Sequence, residues 1–198
     1  MAKNIGYLKK NFIYINKINE SIKFNIQNSL NTSIIYDNIS HNNESFYKIK
    51  NFCKLKNLNL YLIDNYKLAI KHKLSGIIIS NNNKRNLYYG NPLCKKIKFQ
   101  IFGKVHNRLE YYFKKRQNCT GIFLSPIFHN KKYSMNSILN ISKFSLISRN
   151  WNIEKYALGG IMPQNFRKLK NLDISGLAVR RAFLMNKLDT KFKLFSRK

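Results

Sequence analysis

The sequence predicts an α/β protein built as a closed (βα)8 barrel, and three observations predict it. Eight short apolar runs follow one another along the chain, amphipathic stretches separate several of them, and 198 residues leave room for one domain with short loops. The runs are 11–15 (NFIYI), 33–36 (SIIY), 58–63 (LNLYLI), 76–79 (GIII), 98–102 (KFQIF), 121–124 (GIFL), 153–158 (IEKYAL) and 174–179 (ISGLAV). Most are continuous and rich in Ile, Leu, Phe and Tyr, which is how strands covered on both faces of a parallel sheet read. Their Tyr and Phe side chains are expected in the core.

Between the runs, segment 44–56 (ESFYKIKNFCKLK) sets Phe46, Ile49, Phe52, Cys53 and Leu55 near one helical face. Segments 66–73, 107–117 and 164–170 repeat the pattern. Strand and helix therefore alternate, and eight strand candidates in order favour a closed barrel over an open doubly wound sheet. The pattern is faintest at the first strand with the helix after it, and over 134–150. No Pro/Gly/Ser-rich linker divides the chain and it holds only three prolines, so residues 1–198 are read as one domain.

The formal charge of +29 points first to nucleic acid. A simpler account fits better. Only eight of the basic residues are arginine, the lysines are spread along the whole chain, and Asn and Ile are also heavily used, the signature of A/T-rich codons. A nucleic-acid surface clusters its charge and favours Arg for bidentate contacts. Nucleic-acid binding beyond non-specific, salt-sensitive attraction is therefore not expected. The three cysteines, Cys53, Cys94 and Cys119, form no metal-ligand pair and read as buried or half-buried thiols in a reducing compartment. No apolar run approaches the ~18 residues of a membrane span, and the start MAKNIGYLKKNFIYINK lacks a signal-peptide pattern, so a cytoplasmic location without membrane association is expected.

Chemistry in such barrels sits at the C-terminal strand ends, and phosphate often binds after strands seven and eight. Strand seven runs into Ala157-Leu158-Gly159-Gly160-Ile161, and strand eight is Gly176-Leu177-Ala178-Val179 followed by Arg180-Arg181. Glycines let backbone N–H groups approach an anion closely, and Met162-Pro163 suits the opening of a short helix. Gly159, Gly160 and Gly176 are thus candidate phosphate ligands. Only eight acidic residues exist, and two of them, Asp37 and Asp64, fall at predicted C-terminal strand ends. Each is a candidate site residue, or else the cap of a following helix or turn. His106 ends strand five, where a structural hydrogen bond is the competing role.

These residues also carry a resemblance. The segment Tyr156-Ala157-Leu158-Gly159-Gly160-Ile161 followed by Gly176-Leu177-Ala178-Val179 resembles the phosphate-binding end of the thiamine phosphate synthase family. Gly121-Ile122-Phe123-Leu124-Ser125-Pro126-Ile127-Phe128 is similar to that family's sixth-strand G-P-I-F motif, with Ser125 where Gly is usual. Ile101-Phe102-Gly103-Lys104-Val105-His106 resembles its fifth-strand G-x-S-x-H, with Lys104 in the serine's place. Leu62-Ile63-Asp64, Leu68-Ala69 and Ser75-Gly76-Ile77 resemble its third strand, helix and fourth strand, and the similarity covers roughly residues 33–183.

The resemblance implies a transferase of thiamine biosynthesis that joins an aminopyrimidine diphosphate to a thiazole phosphate with release of pyrophosphate, neutralised by Mg²⁺. It implies Asp64 as a metal ligand, helped either by Asn83, whose amide oxygen stands in place of the second metal carboxylate, or by Asp37. The family's pyrophosphate-gripping Gln-x-Arg falls at Ile35 and Asp37, so an anion stands where a cation is usual. Its loop after strand six falls at Asn130, Lys131 and Lys132, where a lysine would stabilise the departing pyrophosphate. Arg180-Arg181 replace an Ile-Ser at the end of strand eight and offer strong phosphate contacts. Lys104 and His106 fall among the substrate-facing positions. The catalytic His of a sister branch that isomerises a thiazole phosphate is Pro126 here, with His129 three residues on. Two alternatives stand beside the synthase: a catalytically impaired barrel of the same family that binds a phosphorylated ligand, and a basic nucleic-acid-binding protein.

Overall fold

The computed structural model describes residues 10–27, 31–37, 43–85, 99–129 and 134–180. Its elements are β1 (Lys10–Ile15), α1 (Glu20–Gln27), β2 (Thr32–Tyr36), α2 (Asn43–Leu55), β3 (Asn59–Ile63), α3 (Tyr66–Lys71), β4 (Gly76–Ile79), β5 (Gln100–Val105), α4 (Arg108–Arg116), β6 (Gly121–Leu124), α5 (Asn140–Ser148), β7 (Glu154–Leu158) and β8 (Gly176–Val179). The strands are all parallel and close in chain order from β1 round to β8, which pairs back with β1. This is the (βα)8 TIM barrel that the eight runs predicted.

Three details depart from expectation. The fifth strand begins at Gln100 and runs through Val105, later than the 98–102 run. Segment 164–170 forms no α-helix; Phe166–Asn171 is a 3₁₀ turn over the start of β8. Leu55 is 83 % exposed at the last residue of α2, while Phe46, Ile49, Phe52 and Cys53 are buried, because the i, i+3, i+7 stripe leaves Leu55 off the covered face.

The barrel interior is filled in layers taken from alternate strands, as closure of eight strands requires. Strands β2, β4, β6 and β8 turn Ser33, Gly76, Gly121 and Gly176 inward, and above them β1, β3, β5 and β7 supply Phe12, Tyr61, Phe102 and Tyr156. The small layer makes space for the large one. A Cβ at Gly121 would lie 2.8 Å from the Phe102 ring, and one at Gly176 would lie 3.1 Å from the Tyr156 ring and 1.7 Å from the Lys10 carbonyl oxygen. Phe12 packs edge-on against Tyr61, Phe102, Phe123 and Tyr156 with centroids 4.9–5.6 Å apart. Such pairs contribute about 0.5–1.5 kcal/mol each beyond area burial. Next comes Ile35, Ile78, Phe123 and Ala178.

Below the aromatic layer the barrel is closed by polar groups that satisfy one another. Lys10 Nζ donates to Tyr61 Oη and to Gln100 Oε1, both at 2.5 Å, and Tyr156 Oη donates to Glu154 Oε2 at 2.8 Å. Burial lowers the Lys10 pKa to about 8, with the Glu154 carboxylate partly opposing the shift. The larger core lies between the strands and the helices. There Trp151 stacks on Tyr111 of α4 at 4.1 Å. Cys53 and Cys119 are free and buried, and burial pushes both thiols up to about 12, so neither is a nucleophile at neutral pH. Cys94 lies outside the described residues. Among the described residues, no helix is long and apolar enough to cross a membrane.

Candidate functional site at the barrel mouth

Above the Ile78–Ala178 layer, β1, β3, β5 and β7 supply Tyr14, Ile63, Lys104 and Leu158, and the strand ends of β2, β4, β6 and β8 supply Asp37, Ser80, Ser125 and Arg180. All eight line one cavity of about 490 Å³, together with Gly159, Gly160, Ile161, Met162 and His129. The inward parity that puts Ile35 in the core thus carries Asp37 to the rim, and the expected register of the second strand holds. Tyr14, Ser80 and His129 were not singled out by sequence as site residues. Parity with Phe12 and Ile78 would have found the first two.

The corner after β7 is where the sequence pattern located it. Gly159 and Gly160 have φ of 95° and 69°, a region that side-chain-bearing residues avoid. A Cβ on Gly160 would lie 2.4 Å from the Phe128 carbonyl oxygen and 2.6 Å from that of His129. The two loops are tied by Ile127 N to Leu158 O at 3.0 Å and Phe128 N to Gly159 O at 3.1 Å. Asn165 braces the corner from outside, accepting from Met162 N at 2.9 Å and donating to Gly160 O at 2.8 Å. Gly176 requires a correction. It opens β8 at the opposite end of the barrel, packed against Lys10 and Tyr156, so its lack of a side chain serves packing. The β8 contribution to the mouth is Ala178, Val179 and Arg180.

Asp37 is not an unpaired anion. Its Oδ2 lies 2.9 Å from Arg180 Nη1, an ion pair that spans the rim from the end of β2 to the end of β8. The pair thus joins two rim residues, Asp37 and Arg180, at which the sequence departs from the resemblance. Lys104 is half-buried beneath them. Burial lowers its pKa, and the Asp37 and Glu110 carboxylates raise it back in part.

Asp64 and Asn83 come together, but outside this cavity, in a shallow depression with Asn82, Lys84 and Arg85. Asp64 sits at the end of β3 with φ 53°, and its Oδ1 accepts from Ser80 N at 3.0 Å and from Asn83 Nδ2 at 2.8 Å. Asn83 Oδ1 accepts from Arg85 N at 3.0 Å. Those two bonds fix the amide orientation, because a flip would set two donors and two acceptors face to face. Beneath, the buried Lys114 ammonium and Gln117 Nε2 both donate to the Asn83 carbonyl oxygen, at 2.7 and 3.1 Å. Magnesium takes several oxygen ligands and favours carboxylates. Here one carboxylate faces N–H donors, with an ammonium close by. Among the described residues, no group of three or more His, Cys, Asp or Glu is arranged to hold a metal. These residues do not fit Mg²⁺.

His106 does not line the mouth cavity. Its Nδ1 is 2.6 Å from Ser125 O and its backbone N–H donates to Glu110 Oε2 at 2.8 Å, while Asn107 caps α4 through Glu110 N at 2.9 Å. The ring thereby ties the end of β5 to the loop after β6. Lys131, Lys132 and Arg181 lie outside the described residues.

The family model described as thiamine monophosphate synthase matches residues 40–183. No curated protein matches the chain. Among solved structures, a thiamine phosphate pyrophosphorylase from Pyrococcus furiosus is similar with a TM-score of 0.69 at 16 % identity, over 94 % of this chain and 92 % of that one. A thiamine phosphate pyrophosphorylase from Bacteroides thetaiotaomicron gives 0.59 at 15 %, over 91 % and 86 %. An aldolase from Escherichia coli K12 gives 0.66 at 11 %, over 88 % and 76 %. At these identities the structural likeness speaks for the fold alone.

Proposed function

Because the chain belongs to the thiamine monophosphate synthase family, we propose that its barrel mouth binds a small organic phosphomonoester of the thiazole phosphate type. The carrying observation is that the two glycines of positive φ, Gly159 and Gly160, share one cavity with the guanidinium of Arg180. Backbone N–H groups at the glycine corner and the Arg180 fork are suited to the phosphate oxygens. The apolar walls Ile63, Leu158 and Ile161 suit the organic part.

The family's transfer reaction, joining an aminopyrimidine diphosphate to this ligand with release of pyrophosphate, needs the charge of the diphosphate neutralised. The Asp64–Asn83 hydrogen bond and the Asp37–Arg180 pair favour a barrel that has kept the phosphomonoester half and given up the metal-assisted half. Titration calorimetry with thiazole phosphate and with the aminopyrimidine diphosphate, each with and without Mg²⁺, tests this. Binding of the monophosphate alone, unaffected by Mg²⁺, is expected. Formation of thiamine phosphate from both substrates would overturn the impaired reading in favour of an active synthase. Polyanion binding that vanishes at physiological salt is expected from the lysine-rich surface.

A further inference from the structure

Among the described residues, four lysines of the strands and of α4 are buried or half-buried, and three of them are spent on structure. Lys10 Nζ donates to Tyr61 and Gln100, Lys114 Nζ to the Asn83 carbonyl and Gln117, and Lys155 Nζ pairs with Asp173 at 2.7 Å. Lys104 differs. It stands in an otherwise uncharged interior layer with Tyr14, Ile63 and Leu158, over a floor of Ile78 and Ala178, and its ammonium makes no hydrogen bond among the described residues. The same cavity holds the Gly159–Gly160 corner.

We infer that Lys104 is a nucleophilic amine that condenses with the carbonyl carbon of a phosphorylated aldehyde or ketone whose phosphate sits at the Gly159–Gly160 corner. The inference rests on the phosphomonoester reading above and names the class of ligand. A lysine rooted among apolar side chains is the group that forms such adducts, because desolvation favours the neutral amine with its free electron pair. Burial lowers the Lys104 pKa, with Asp37 and Glu110 partly opposing it. In the condensation the amine nitrogen attacks the carbonyl carbon to give a carbinolamine. The C–O bond then breaks as the C=N bond forms. The oxygen leaves as water, carrying the two protons that the neutral amine brought. Tyr14, Asp37, Ser80, Ser125 and His129 line the same cavity and are the polar groups available for moving those protons. No oxidant, metal or second substrate is needed.

Pyridoxal 5′-phosphate, an aldehyde and a phosphomonoester in one molecule, is a suitable probe. Sub-stoichiometric probe is followed by borohydride reduction and peptide mapping of every lysine. Lys104 is expected to carry the adduct ahead of the exposed lysines, excess inorganic phosphate to suppress it, and pyridoxal without phosphate to lose the preference. Lys104→Arg keeps the charge and removes the primary amine, so it should lose the site-specific adduct while its exposed lysines still react. Labelling scattered over exposed lysines with Lys104 unmodified, while phosphate binding is intact, would overturn the amine and leave the phosphomonoester site standing. Failure of the unaltered protein to bind phosphate, with Lys104 still labelled by plain pyridoxal, would overturn the phosphomonoester site instead. Absence of both would overturn both.

Discussion

The two ends of this barrel hold lysines of the same kind in opposite conditions. At the bottom, Lys10 lies under the rings of Phe12, Tyr61 and Phe102, 4.8–5.4 Å from their centroids, with two hydrogen-bond acceptors in reach. At the mouth, Lys104 is also half-buried, but it borders open space and its neighbours leave it without a hydrogen bond among the described residues. Burial by itself does not mark a functional group. What separates the two is whether the fold supplies the partners, since a buried polar group whose bonds are all made resists change, and one left open stays available to a ligand. The glycines divide in the same way: Gly176 yields space to side chains of the core, and Gly160 yields it to the backbone of a loop that borders the cavity.

The largest effect expected is at the bottom. In Gly176→Ala the new methyl would meet the Lys10 carbonyl at 1.7 Å, so a loss of about 3 kcal/mol or more of folding stability is expected. Chemical denaturation measures it; a variant as stable as the parent would mean that the small layer is not needed. Gly160→Ala brings a residue with a Cβ to φ 69° and close to two carbonyl oxygens. It should cost about 1–3 kcal/mol and should weaken phosphate binding, which Gly176→Ala refolded at low temperature should not do. Equal effects of the two substitutions on phosphate affinity would erase the distinction between the ends.

Arg180→Ala comes next. The exposed pair with Asp37 contributes little to stability, about 0–1 kcal/mol. Phosphate affinity should drop about tenfold, the loss of one charge-assisted contact worth roughly 1.5 kcal/mol. Calorimetry with inorganic phosphate reads this directly, and unchanged affinity would remove Arg180 from the site.

A smaller effect follows from Lys10. Its folded pKa of about 8 lies below the ordinary lysine value of 10.5, so between those values the unfolded chain binds more protons and stability rises with pH. The cost of burying the charge is present in full below pH 8 and is relieved towards pH 10.5. Denaturation of the parent and of Lys10→Met across this range should show the parent gaining on the variant as pH rises. A flat difference would mean that Lys10 is as well solvated as a surface lysine. The smallest expected effect is that of magnesium. Millimolar Mg²⁺ should leave the melting temperature within error, because Asp64 and Asn83 are bonded to each other; a clear upward shift would restore the metal site.

Much of this protein is legible in its sequence. The eight runs gave the strands because a parallel strand buried on both faces needs an unbroken apolar run, which is a local property. Asp37, Lys104 and the Gly159–Gly160 corner reached the mouth because strand parity and a left-handed turn are also written locally. The end of the barrel at which Gly176 sits was not legible, since a short strand that both begins and ends near small residues does not announce where its ladder starts. Nor were the partners. That Arg180 answers Asp37, that Asn83 turns its amide nitrogen to Asp64 under the hold of Lys114, and that Lys10 finds acceptors while Lys104 finds none among the described residues, are decided by barrel closure. Closure brings β8 beside β1 and sets alternate strands into common layers, and only the tertiary structure fixes which distant side chains then share a layer.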